Sequence, residues 1–91
     1  MKIEKVNADI VGNAIQSVVR QREIDAIIPG AIVVHRKTGI IGRCAYSTNG
    51  ISVCYAKNGW RGQTIGDYPH FVAQHWRIAT DEEVRRYFDA N

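Results

Sequence analysis

The chain has 91 residues, of which 45% are apolar and 23% charged, with a net charge of +3 and two cysteines. This is room for one domain, 1–91, of ordinary globular composition. It excludes a membrane span, because no apolar run approaches the ~18–20 residues that one needs.

The first segment, MKIEKVNADIV, mixes charged and polar residues into its apolar ones and so lacks the apolar stretch of a secretory signal. The expectation is a cytoplasmic protein with no membrane partner, whose Cys44 and Cys54 are buried free thiols. After Asn7, a plausible N-cap, Ile10, Val11, Ala14, Ile15, Val18 and Val19 recur in pairs every four residues. That spacing predicts an amphipathic helix over 8–22 with all six on one face. Pro29-Gly30 then breaks the chain.

From Ala31 the period changes to two. Strands are expected at Ala31–Arg36, Ile40–Ser47, Ile51–Ala56 and Trp60–Ile65, and a last one at Val72–Ile78, with turns at Lys37-Thr38-Gly39, Asn49-Gly50 and Asn58-Gly59. The fold class is α+β, mainly β: an antiparallel barrel or meander of four or five strands over 31–78. A type I′ turn at Asn49-Gly50 pairs Thr48 with Ile51, Tyr46 with Val53 and Cys44 with Tyr55. Cys54 then faces away from Cys44, and a disulfide between them is not expected. Thr80-Asp81-Glu82-Glu83 is a capping box that opens a short C-terminal helix over 81–89, and Val84, Tyr87 and Phe88 are expected to dock it on the sheet.

The charge is unevenly placed. Residues 30–78 hold Arg36, Lys37, Arg43, Lys57, Arg61 and Arg77 against Asp67 alone, whereas the flanking segments are neutral or acidic. Such a surplus attracts a polyanion, and Trp60, Tyr68 and Trp76 would supply surfaces on which bases stack, although Trp76, just before the capped helix, is expected in the core. The candidate binding residues are Arg36, Lys37, Arg43, Lys57, Trp60, Arg61 and Arg77. Trp60, just after a turn, is also a candidate anchor for a protein partner. His70, His75 and Asp67 suggest acid–base chemistry, but no motif sets a nucleophile beside them, and histidines five apart on a strand face opposite sides. The sequence predicts no catalytic residue, metal site or cofactor, and the chain is not expected to be an enzyme.

The segment Gly30–Ala56, GAIVVHRKTGIIGRCAYSTNGISVCYA, resembles a KOW-type SH3-like module. The resemblance rests on Gly30, Ile32, Val34, Thr38, Gly39, Ile41, Gly42 and Arg43 and covers about a third of the chain. It implies an SH3-like barrel that binds RNA, DNA or protein through turns and exposed strands, with Arg36, Lys37 and Arg43 as candidates. The tail HWRIATDEEVRRYF resembles in general style the small accessory proteins of phages and mobile elements. Three partners follow as expectations. The first is nucleic acid on the basic hairpin surface. The second is a host protein held by a phage-encoded inhibitor or accessory factor. The third is a second copy forming a homodimer through the apolar face of the first helix.

Overall fold

The computed structural model describes residues 20–89 of the chain. Helical backbone over 20–26 (α1) leads into a five-stranded antiparallel sheet: β1 (Ile32–His35), β2 (Ile41–Ser47), β3 (Gly50–Lys57), β4 (Trp60–Gln63) and β5 (Trp76–Ile78). Two further helices, α2 (Pro69–His75) and α3 (Asp81–Asp89), flank β5. The strand order is β4-β3-β2-β1-β5, so the sheet is open, with β4 and β5 at its edges. The fold is α+β and mainly β. The first four strands form a meander, and β5 departs from it by crossing to the free side of β1.

The helix expected over 8–22 lies outside the described residues up to position 19. Within them it runs on to 26, four residues past its expected end. Gln21 bonds Asp25 one turn on at 2.9 Å, and Ile24 and Ile27 reach the core. Pro29 and Gly30, the latter at φ +91°, finish the break.

One face of the sheet carries the core. Val33, Cys44, Ile51, Val53 and Trp76 line it, and Ile27, Val72 and Ala73 cover it. Ile32, Val34 and Ser52 are buried on the opposite face, where the Ser52 hydroxyl accepts from Gln63 Nε2 at 2.9 Å. The core face is unusually flat at two points. Gly42 and Gly62 are the cross-strand neighbours of Tyr55 on either side of β3. A Cβ on Gly62 would stand 2.5 Å from the Tyr55 ring, and one on Gly42 would stand 2.5 Å from Val53. The bare backbone lets Tyr55 lie across the sheet, where it meets Trp76 at 6.1 Å between ring centres. Trp76 in turn receives the edge of His35 at 5.0 Å.

The strand expected over 72–78 is corrected to a helix followed by only three residues of strand. Pro69 occupies the start of the helix, where its fixed φ is already helical and its missing N–H costs nothing. Val72, Ala73 and Trp76 are spaced i, i+1 and i+4, which gathers them on one side of a helical turn and buries all three. A two-residue period would have split Val72 from Ala73. Arg36 fixes the helix from below: its Nε and Nη2 donate to Ala73 O at 3.2 and 3.0 Å, and its backbone N–H donates to His75 O at 2.8 Å.

The register of the central hairpin is also corrected. Tyr46 pairs with Ile51 and Cys44 with Val53, so the two loop residues are Thr48 and Asn49. Gly50 opens β3 at φ +131°, and a Cβ there would collide with the carbonyl of Asp67. That carbonyl accepts from Ile51 N–H at 2.8 Å in the bridge between Ile51 and Asp67. Gly50 is therefore held in the ladder rather than in the turn. The slip is two residues, which preserves faces. Both cysteines are free thiols and Cys44 is buried, but the expected burial of Cys54 is corrected: on the face away from the core it is exposed. The Asn58-Gly59 turn does take the type I′ form, with both residues at positive φ, +51° and +82°.

The capping box forms as expected. Glu83 N–H donates to Thr80 Oγ1 at 3.3 Å, and Thr80 N–H to Glu83 Oε1 at 2.9 Å. The expected docking of α3 does not occur: none of its side chains is buried, and Phe88 is 59% exposed. The core face is already taken by α2 and the end of α1, so α3 sits at the rim. A two-pronged ion pair holds it there, Arg77 Nη1 and Nη2 donating to the two Glu83 oxygens at 2.7 and 2.8 Å. The guanidinium and the Thr80 N–H lower the Glu83 carboxyl from its ordinary 4.5 to about 2.

Three outcomes follow. Gly62→Ala, which forces the Tyr55 ring off the sheet, should lower unfolding stability by about 1–3 kcal/mol, read by urea denaturation. The stabilisation from Glu83 is complete above its unfolded value near 4.5 and disappears as pH falls towards about 2. Helical circular dichroism should therefore fall more between those limits in the native protein than in Glu83→Gln. Burial pushes the Cys44 thiol up to about 11. A thiol reagent at neutral pH should thus label one cysteine, Cys54, in the folded protein and two after unfolding.

Candidate functional site

Strand direction brings two turns to the same end of the sheet. The β1–β2 turn closes with His35 N–H donating to Ile40 O at 2.8 Å. Extending the Gly42–Tyr55 register by two residues sets Lys57 level with Ile40, beside that turn. Lys57 is directly opposite Trp60 across the Asn58-Gly59 corner, and Arg61 follows on the other side of the ribbon. The indole of Trp60 is 81% exposed. Trp60, Arg61 and Lys57 border one cleft of about 340 Å³ together with Tyr55 and Gly62. Among the described residues, the side chains of Lys37, Lys57 and Arg61 have no hydrogen bond or ion pair. Three cations and an exposed indole therefore share this end.

The other three cations chosen from the sequence lie elsewhere. Arg36 is turned inward to Ala73 O and also meets Glu23 at 3.2 Å. Arg77 is committed to Glu83. Arg43 projects from the opposite face of the sheet, in a row with Ile32, Cys54 and Gln63. Of the two other aromatic residues considered for stacking, Trp76 is buried, while Tyr68 is exposed and lies parallel to the His70 ring at 5.9 Å.

A second feature was not among the residues chosen from the sequence. Between α2 and the β3–β4 ribbon runs a groove of about 360 Å³, which shares Tyr55 as a lining residue with the Trp60 cleft. Ile40, Ile65 and Phe71 form apolar walls, Trp76 lies beneath, and Thr38, Asp67 and His75 add polar groups. His35 also borders it, and its Nδ1 accepts from the backbone N–H groups of Lys37 and Thr38, both at 3.3 Å. Its ring proton therefore sits on Nε2. Asp67 is fixed by its bridge to Ile51, and its Oδ1 accepts from Tyr68 N–H at 2.8 Å. Reading 69–76 with a helical period, on the evidence of Pro69 and the Val72-Ala73-Trp76 spacing, would have placed a wall over the sheet and exposed this groove in advance.

His70 and His75 share α2, not a strand, and both are exposed. Neither has a hydrogen bond from its ring to a serine, threonine or cysteine side chain among the described residues. The arrangement offers an aromatic and cationic surface with an adjoining groove, which is suited to holding a ligand. No helix among the described residues is long and apolar enough to cross a membrane. Comparison with protein-family models, curated proteins and solved structures gave no match to this chain.

Proposed function

We propose that this protein is an SH3-like binding module that holds single-stranded nucleic acid at the two-turn end of its sheet. The observation that carries this reading is Trp60, exposed at the sheet edge with Lys57 opposite it and Arg61 after it, neither cation neutralised by an acid among the described residues. A single strand offers base faces that stack on an indole and phosphates that pair with lysine and arginine. Duplex DNA keeps its base faces hidden and fits an exposed edge indole less well. The SH3-like assignment is supported by the four-strand meander and by β5 returning across α2 to the far side of β1. Fold alone would not select the ligand.

A host-protein partner is the second reading. Trp60, 81% exposed just after a turn, is the observation that favours it, since tryptophan is enriched among the residues that anchor protein partners.

The two are separated by salt. Single-stranded oligonucleotides should bind with an affinity that falls as salt rises, with a log–log slope of about −2 for three phosphates neutralised by Lys37, Lys57 and Arg61. Trp60→Ala should weaken binding about tenfold or more through lost stacking. Lys57→Ala with Arg61→Ala should flatten the slope. Fluorescence anisotropy measures all three, and binding that ignores salt, or is unchanged by Trp60→Ala, rejects the nucleic-acid reading.

A further inference from the structure

We infer that the groove beside Trp60 is a base-reading subsite, which takes one unstacked nucleobase and selects bases that carry an exocyclic amine (cytosine, adenine or guanine) over thymine or uracil. This rests on the nucleic-acid reading and adds to it a sequence preference and the residue that sets it, Asp67.

Charge supplies the first argument. Asp67 is the one acidic residue between positions 30 and 78, and it borders the groove, while the cations Lys57 and Arg61 border the adjoining cleft. A phosphate is drawn to the cleft and repelled from the carboxylate. A strand crossing this surface therefore runs its backbone along the cations and turns a base towards Asp67. The two ends are a workable span apart: Trp60 is opposite Lys57 and Asp67 opposite Ile51. Six residues of β3 cover about 20 Å, which a few nucleotides bridge.

Shape supplies the second. The walls Ile40, Ile65 and Phe71 are flat or aliphatic and suit the faces of a base, and a volume of about 360 Å³ admits one with room for its sugar. Ile65 is 88% exposed in the free protein. A base held against it would cover apolar surface that the chain's own fold leaves open.

The third argument is the orientation of Asp67. One carboxylate oxygen is occupied by Tyr68 N–H and the backbone is locked to Ile51 on both its N–H and C=O. The carboxylate is thus placed by its neighbours, with Oδ2 left to accept. A carboxylate accepts and does not donate, so it takes the amine of cytosine, adenine or guanine readily, whereas the one donor of thymine or uracil, N3–H, lies between two carbonyl oxygens that repel the carboxylate.

The test compares oligonucleotides of one length, oligodeoxycytidine, oligodeoxyadenosine and oligodeoxythymidine, on the full chain by fluorescence anisotropy. The native protein should bind the first two about fivefold or more tighter than the third. Asp67→Asn keeps the Oδ1 acceptor for Tyr68 N–H and replaces the outer oxygen with a donor, so the preference should vanish or invert while the salt slope stays the same. In the native protein, oligodeoxycytidine should shift the amide resonances of Asp67, Phe71 and His75, a readout that does not depend on the variant folding. Equal binding of all three oligonucleotides, a preference that survives Asp67→Asn, or shifts confined to Trp60 and its neighbours would overturn the subsite and leave the proposed function standing. Absence of any salt-sensitive oligonucleotide binding would overturn both, as would a groove occupied instead by a nuclease-resistant protein partner.

Discussion

The two glycines that flank Tyr55 are the constraint on which the rest of this fold depends. A β-sheet normally presents a side chain at every second position of each strand. Here the row that crosses the core face through Val33, Gly42, Tyr55 and Gly62 is bare at two of its four positions. The vacancy at Gly62 is filled by the ring of Tyr55, and the one at Gly42 by Val53. Because Tyr55 lies flat, Trp76 can approach it, and because Trp76 is the first residue of β5 and follows directly on α2, its burial fixes both the end of α2 and the pairing of β5 with β1. The groove is the space left between that helix and the ribbon whose aromatic side chain has been laid down.

Charge has been divided along the same lines. The guanidinium of Arg36 holds α2 by donating to a backbone carbonyl, and that of Arg77 holds α3 by gripping a carboxylate in two places. Guanidinium suits such work, since its donors form a rigid fork. The cations left without acidic partners among the described residues include two lysines, Lys37 on the β1–β2 turn and Lys57 at the end of β3, each a compact, well-hydrated charge. A basic stretch of sequence thus resolves into an internal set that makes the fold and an external set available to a ligand.

Much of this was legible in the residues, and the failures have physical causes. The capping box and the bounds of α3 follow from local chemistry alone, and the structure has them where the sequence put them. The two Asn-Gly dipeptides look alike, but only Asn58-Gly59 is free to make the tight turn. Gly50 is claimed by the Asp67 backbone, a contact with a residue seventeen positions away that no local rule reports. Opposite faces for Cys44 and Cys54 survived because the slip was by an even number. The 69–75 segment was misread since Val72 and Ile78 are good strand residues, and a propensity outweighed a spacing. Of the seven cations and aromatics selected, four converge, and the three that do not were diverted by partners or faces that only three dimensions supply. The groove was missed altogether, as a consequence of the misread helix.

The position of α3 at the rim has a dynamic consequence. No side chain of α3 is fully buried, and its two-pronged pair with Arg77 and its capping box lie at the rim of the sheet and outside the core. Such a helix can open without the core opening with it. Its amide hydrogens exchange with solvent through local opening, at a free energy well below that of global unfolding, while those of β1, β2 and β3 wait for the whole sheet to come apart. The sheet and α3 therefore differ in expected protection, with the boundary between them at Ile78.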